Sequence, residues 1–78
     1  MEPCTQKQGQ YLAFIYHYTK IHRRPPAEAD IQFYFRVTPP TVHQMILKLE
    51  ERGLIKRVPG QARSIQVLLP PDQLPCLE

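Results

Sequence analysis

The chain has 78 residues, 42% hydrophobic and 22% charged, with ten Lys and Arg against seven Asp and Glu for a formal net charge of +3. That length supports one compact core. With no apolar run near the roughly 20 residues that span a bilayer and no signal-peptide layout, a single soluble, cytoplasmic domain over 1–78 is expected, core about 5–69 and tail 70–78.

Thr5 with Gln8 has the spacing of a capping box, in which a Thr side chain and a Gln three residues later satisfy each other's backbone N–H groups. Downstream, Tyr11, Phe14, Ile15, Tyr18, Ile21 and His22 fall on one side at about 100° per residue, with Ala13, His17 and Lys20 pointing the other way. A helix of about four turns is predicted, ending before Arg23-Arg24-Pro25-Pro26, because proline disfavours helix in the residue ahead of it.

Pro25-Pro26 is expected to lie in the first turn of a short second helix, where proline is tolerated. Glu28 and Asp30 then sit where the helix dipole favours negative charge, and Ile31, Tyr34 and Phe35 face inward. Phe35-Arg36-Val37 is predicted as a turn.

The third helix has the clearest signals. Thr38 is a suitable N-cap and Pro39 a suitable first residue. Val42, Met45, Ile46 and Leu49 make a core stripe at i, i+3, i+4 and i+7, and Gly53 supplies a left-handed stop. Leu54 to Val58 then reads as a strand, Pro59-Gly60-Gln61-Ala62 as a turn, and Ser64 to Leu69 as a second strand with Ile65, Val67 and Leu69 on one face. Pro70-Pro71 ends it, and the tail "DQLPCLE" is either docked or frayed.

Helix, helix, turn, helix and two-stranded hairpin make a mainly α fold with a small β-hairpin (α+β), a three-helix winged helix-turn-helix. In such folds the N-terminal part of the last helix enters the DNA major groove. Thr38, Thr41, His43 and Gln44 offer hydroxyl, imidazole and amide groups there, and Gln pairs bidentately with adenine. Lys48 lies farther along the same side and suits a phosphate; Lys56, Arg57 and Arg63 belong to the hairpin, and Arg23, Arg24 and Arg36 flank the helix-turn-helix. Basic residues concentrate here, with nine Lys and Arg against four Asp and Glu from Lys20 to Arg63.

The plain alternative is that these polar groups are solvated surface and the hairpin cations only discourage edge-to-edge pairing. Leu47 and Glu51 on the same helix face are poor DNA ligands. Winged helices also serve as protein-interaction modules, and such a module would dock a partner on Tyr16, Phe33 or Leu47. RNA binding through the same basic surface is a third reading.

The segments "TQKQGQYLAFIYHYTKIHRRPP" and "TPPTVHQMILKLEERGLIKRVPGQARSIQVLL" closely resemble the N-terminal DNA-binding domain of the LexA repressor family. The resemblance rests on Thr5/Gln8, Pro25-Pro26, Thr38-Pro39, Leu49/Gly53/Ile55 and Gly60/Arg63/Ile65, and reaches Leu69. It implies base contacts at Thr38, Pro40, Thr41, His43 and Gln44, a recognition helix at about Thr38–Arg52 and a wing at about Leu54–Leu69. Departures lie at Pro40, where a polar residue is common, at His43 and Gln44, where acidic residues occur, and at Ala27, where Thr is usual. The turn "YFRV" also lacks the family's glycine. An operator different from the family's usual one is therefore expected. The family's protease domain has no counterpart in these residues, so neither enzyme activity nor induction by self-cleavage is expected of the chain.

Other chemistries find little support. His17 and His22 are five residues apart and face different sides, unlike the three- or four-residue spacing of helical metal pairs. Ser64 is the only serine and lacks a nucleophile's partners, and three glycines form no phosphate loop. Cys4 and Cys76 read as free thiols in a reducing compartment. No metal, cofactor, small-molecule ligand or membrane partner is expected. Double-stranded DNA is the expected partner, with a homodimer on a palindromic site as its natural geometry.

Overall fold

A computed structural model describes residues 5–78. It contains α1 (Gln6–His22), α2 (Glu28–Phe35), α3 (Pro39–Glu51), β1 (Ile55–Lys56), β2 (Gln66–Val67) and a 3₁₀ turn at Pro71–Gln73. The strands pair antiparallel, Ile55 opposite Val67 and Lys56 opposite Gln66. This is the expected mainly α winged helix-turn-helix.

α1 starts as its capping box dictates. Gln8 N–H donates to Thr5 Oγ1 and Thr5 N–H to Gln8 Oε1, each at 3.1 Å. Its inward face differs from the amphipathic expectation. Every residue from Gln8 to Ile15 is buried, including Ala13, whereas Ile21 is 74% exposed and His22 lies open. The first half of α1 runs through the middle of the domain and is covered on all sides. Its last turns project past the core, so apolar spacing there no longer reports burial. Tyr11 stacks on Phe35 with ring centroids 4.3 Å apart, and burial pushes its phenol pKa up.

The two prolines precede α2 instead of opening it. Pro26 is buried, Ala27 takes the extended N-cap conformation, and Asp30 Oδ2 accepts the Ala27 N–H at 2.8 Å. Only the reverse half of a capping box forms: the third helical residue satisfies the N-cap's own N–H, and the Ala27 methyl accepts nothing in return. Of the three residues expected inside, Ile31 is fully buried and Phe35 packs on the core, but Tyr34 is half exposed against Phe14.

The turn between α2 and α3 has no glycine, and Arg36 takes its place. Arg36 adopts φ 56°, ψ 48°, and its N–H donates to the Gln32 carbonyl. Left-handed backbone at a non-glycine residue costs about 1–2 kcal/mol. The turn is therefore formed at some expense in strain.

α3 buries Val42, Ile46 and Leu49 completely, with Met45 partly buried against the core. Thr38 holds the N-cap position but does not cap through its side chain; its hydroxyl lies 2.9 Å from that of Thr41. Pro39 and Pro40 occupy the first two helical positions and carry no N–H, so part of the usual demand for a cap is absent. At the other end Leu54 N–H bonds the Leu49 carbonyl and Gly53 N–H bonds that of Glu50, each at 3.0 Å, with Gly53 at φ 74°. That is a Schellman stop, and its apolar contact is Leu54 with Leu49 in the core.

The hairpin is shorter in regular pairing than expected, although Leu68 N–H also bonds the Leu54 carbonyl. Its tip absorbs the rest. Pro59-Gly60 form the turn closed by Gln61 N–H on the Val58 carbonyl, with Gly60 at φ 79°. The turn then continues through Arg63, at φ 60°. Ser64 belongs to this tip and not to a strand: its Oγ accepts from Val58 N–H at 2.9 Å and lies 3.0 Å from the Gln61 carbonyl, to which it can donate.

The tail is docked. Leu74 and Leu77 pack against the core, Gln10 Nε2 donates to the Cys76 carbonyl, and Glu78 N–H donates to Gln10 Oε1, both at 2.8 Å. Tyr34 adds a hydrogen bond to the Glu78 carbonyl. Gln10 is thus a nearly buried amide whose two ends are both met by backbone, as burial of a polar group requires. Cys76 is an exposed free thiol, and Cys4 lies outside the described residues.

Candidate nucleic-acid interface

The proline pair at the head of α3 sets the geometry of the exposed face. Because Val42, Ile46 and Leu49 point into the core, the opposite side of the helix carries Pro40, Thr41, Gln44 and Lys48, with His43 at its edge and Thr38 just ahead. All six are exposed. Gln44 makes no hydrogen bond among the described residues, so both ends of its amide are open to a partner. The Thr38 and Thr41 hydroxyls are bonded to each other, an arrangement that uses one hydroxyl proton and leaves the other.

His43 is oriented by a neighbouring helix. Its Nδ1 lies 3.4 Å from Glu28 Oε1, in the first turn of α2. When Nδ1 carries the proton and donates to the carboxylate, Nε2 is left as an outward acceptor. The spacing of His43 in the sequence gave no hint of this partner, since Glu28 lies fifteen positions away.

The cations divide into two groups. Arg24, Arg36, Lys48 and Lys56 are exposed and enter no ion pair among the described residues. Arg57 is half-buried with Nε 3.3 Å from Glu50 Oε1, so its charge is partly compensated at the base of the hairpin. Arg63 is turned inward. Its Nη1 lies 3.0 Å from Asp30 Oδ2, 3.1 Å from Tyr18 Oη and 3.4 Å from the Pro25 carbonyl. The left-handed backbone at Arg63 aims the side chain at the junction of α1 and α2.

Asp30 is therefore the hub of the cluster that ties the hairpin to α1 and α2. Desolvation pushes its carboxyl pKa up, but the Ala27 N–H, the Arg63 charge and hydrogen bonds from Tyr18 and Arg63 together hold it below the usual carboxylate range. The hydrogen bond with Tyr18 and the Asp30 charge, against some desolvation, raise the Arg63 pKa. Sequence reasoning assigned Asp30 only a helix-dipole role and missed this cluster. Its one local signal is the spacing of Asp30 three residues after Ala27; the pairing with Arg63 spans thirty-three positions.

The remaining surface also carries exposed apolar side chains, Ile21, Val58 and Leu68 among them. Phe33 is 84% exposed and Leu47 43% exposed, while Tyr16 is partly buried. Among the described residues no group of three His, Cys, Asp or Glu stands close enough to hold a metal ion. No helix among them is long and apolar enough to cross a membrane.

Residues 1–64 match the family model described as the LexA DNA binding domain. The chain is similar to the LexA repressor of Bartonella quintana, 34% identical over 71 residues that cover 90% of this chain and 30% of that protein. It is also similar to the LexA repressor of Thermosipho melanesiensis, 35% identical over 68 residues that cover 87% of this chain and 34% of that protein. The chain thus spans about a third of the length of the curated relatives it matches.

Proposed function

The chain belongs to the LexA DNA-binding domain family, and from that premise we propose that it binds specific double-stranded DNA sequences and represses transcription from them. The observation that carries the reading is the stripe Thr41, Gln44 and Lys48 with His43 beside it, exposed and largely uncommitted on a helix whose opposite side is locked into the core.

The first turns of α3 enter the major groove. Gln44 reads an adenine through its free amide, and the Thr38–Thr41 hydroxyl pair presents a donor to a base edge or a phosphate. His43, steadied by Glu28, accepts from an exocyclic amine through Nε2. Pro40 makes apolar contact of the kind a thymine methyl provides. Lys48, Arg36, Lys56 and Arg57 take phosphates and fix the domain's register. Arg63 acts differently from a phosphate ligand: it clasps the hairpin to Asp30 and so sets the angle of the wing. The domain binds as a homodimer on a palindromic site, because two copies are needed to raise the affinity of so small an interface.

The test is selection of sites from a random duplex pool, followed by salt titration of the winner. An enriched motif whose affinity advantage disappears in Gln44→Ala supports base reading by α3. A pool that never enriches, with binding that vanishes near physiological salt, defeats it. A second reading, a protein-interaction module docking on Phe33 and Leu47, is favoured only by the exposure of those two side chains. It predicts undiminished partner binding in Gln44→Ala.

A further inference from the structure

Beside the wing lies a second basic surface that the contacts proposed for α3 leave unused. A groove of about 520 Å³ runs between the last turns of α1, the Arg23–Pro25 segment and β2. Lys20, Arg23 and Arg24 line it, over a floor that includes Ile65 and Val67, and none of its lining residues is a carboxylate. None of the three cations enters an ion pair among the described residues. The groove is continuous with a second one along the hairpin, about 440 Å³, which holds Lys56 and Arg57; the two share Pro25 and Gln66.

Converging cations without a counter-charge repel one another, an arrangement that an incoming polyanion relieves. The fold also holds the groove in place. Arg23 caps α1 in the left-handed conformation, φ 59°, with its N–H on the Thr19 carbonyl, and Arg63 ties the hairpin to the Pro25 carbonyl. One turn of α2 connects this corner to the reading helix: Asp30 holds Arg63 on one side and Glu28 holds His43 on the other.

We propose that the groove of Lys20, Arg23 and Arg24 receives the DNA phosphate backbone outside the half-site read by α3, lengthening the footprint past the wing. This rests on DNA binding by the domain. Its occupant is a run of phosphodiesters, because the band from Lys56 and Arg57 to Arg23 and Arg24 is elongated and open and not a closed cup for one small anion.

The experiment compares fluorescence anisotropy of the whole chain on a short duplex and on one extended by about one helical turn (~10 bp) on the wing side. The groove variant is Lys20→Gln, Arg23→Asn and Arg24→Gln, with Asn chosen because it tolerates the left-handed backbone and with its Tm checked against the parent chain. Extension is expected to raise affinity about tenfold at low salt and to steepen the log affinity against log salt slope by about 2–3, or roughly 0.9 per phosphate. The groove variant should abolish that gain while leaving short-duplex affinity and the Gln44-dependent preference unchanged. Extension without effect, or a groove variant that weakens short and long duplexes alike, overturns the proposal. So does binding of free ATP that the variant removes in the absence of any length effect, which would assign the groove to small phosphate compounds. Failure of sequence reading is seen separately, as loss of motif preference, since the length effect can be measured on any duplex.

Discussion

Arg36 carries two roles that a pair of substitutions can separate. Its backbone is left-handed, at φ 56° and ψ 48°, and its exposed side chain makes no hydrogen bond or ion pair among the described residues. Replacement by glycine removes the Cβ clash, worth about 1–2 kcal/mol, and costs about 0.5–1 kcal/mol in extra freedom of the unfolded chain. The net expectation for Arg36→Gly is a gain of about 0.5–1 kcal/mol, or about 2–8 °C in Tm for a domain of this size. Arg36→Ala keeps the clash and should stay within about 0.5 kcal/mol of the parent chain, as exposed substitutions generally do. Both variants lose the guanidinium, so both should weaken DNA binding on every sequence alike and flatten the salt slope by about 0.9. Thermal unfolding and anisotropy titration on the same preparations decide the matter. Equal stability of the Gly and Ala variants would refute the strain argument, and unchanged salt slopes in both would remove Arg36 from the phosphate contacts.

Four further perturbations test the geometry. Gln44→Ala should cost about 1–3 kcal/mol on a selected site and little on random DNA; equal losses on the two would strip Gln44 of its base-reading role. Because the Asp30 carboxyl is held below its ordinary pKa in the fold, its contribution to stability is complete above the unfolded value of about 3.9 and is lost as pH falls through the lower folded value. Asp30→Asn should therefore lower Tm at neutral pH and reduce the loss of Tm between pH 6 and pH 3; an acid sensitivity as steep as the parent's counts against the Arg63 clasp. Arg63→Gln should reproduce the neutral-pH loss, add little to Asp30→Asn in the double variant, and leave the salt slope unchanged. Removing residues 70–78 takes away the half-buried Leu74 and Leu77 and re-exposes the Gln10 amide, for an expected loss of about 2 kcal/mol in denaturant unfolding. Unchanged stability on that truncation would mean the tail is not held in solution.

How much of the fold was legible depends on how local its causes are. The Thr5–Gln8 box, the core stripe of α3 and the Gly53 stop each act within a turn or two, and each stands where the sequence placed it. The α1 stripe misled because periodicity reports only which side of a helix is apolar. It does not report how far the core extends along the helix, so Ala13 was read as outward and Ile21 as inward. Ser64 was read as a strand residue because alternation cannot distinguish a short strand from a tip pinned by a hydroxyl. The docked tail depends on Gln10, some sixty-six positions from Cys76, a separation over which no pattern in the chain carries a signal.

The same distinction explains the interface. Residues on the outer face of α3 follow from the core stripe on its inner face, so Thr41, Gln44 and Lys48 were legible without a structure. Charge sign was legible too, but charge alone does not say whether a cation is free. Arg24 and Arg63 look equivalent in the sequence, both beside turns and both among other basic residues. They separate only when the hairpin folds back on α1 and α2 and brings Asp30 and Tyr18 to within 3.1 Å of Arg63. Arg63 then serves the wing's angle, whereas Arg24 stays in the open groove. A basic residue that is fixed by a carboxylate cannot release a counterion to the same extent on binding DNA. The salt dependence of binding should accordingly follow chiefly the cations of α3, the hairpin and the groove that enter no ion pair among the described residues, Lys20, Arg23, Arg24, Arg36, Lys48 and Lys56, with a smaller share from Arg57, and not the total of ten Lys and Arg in the chain.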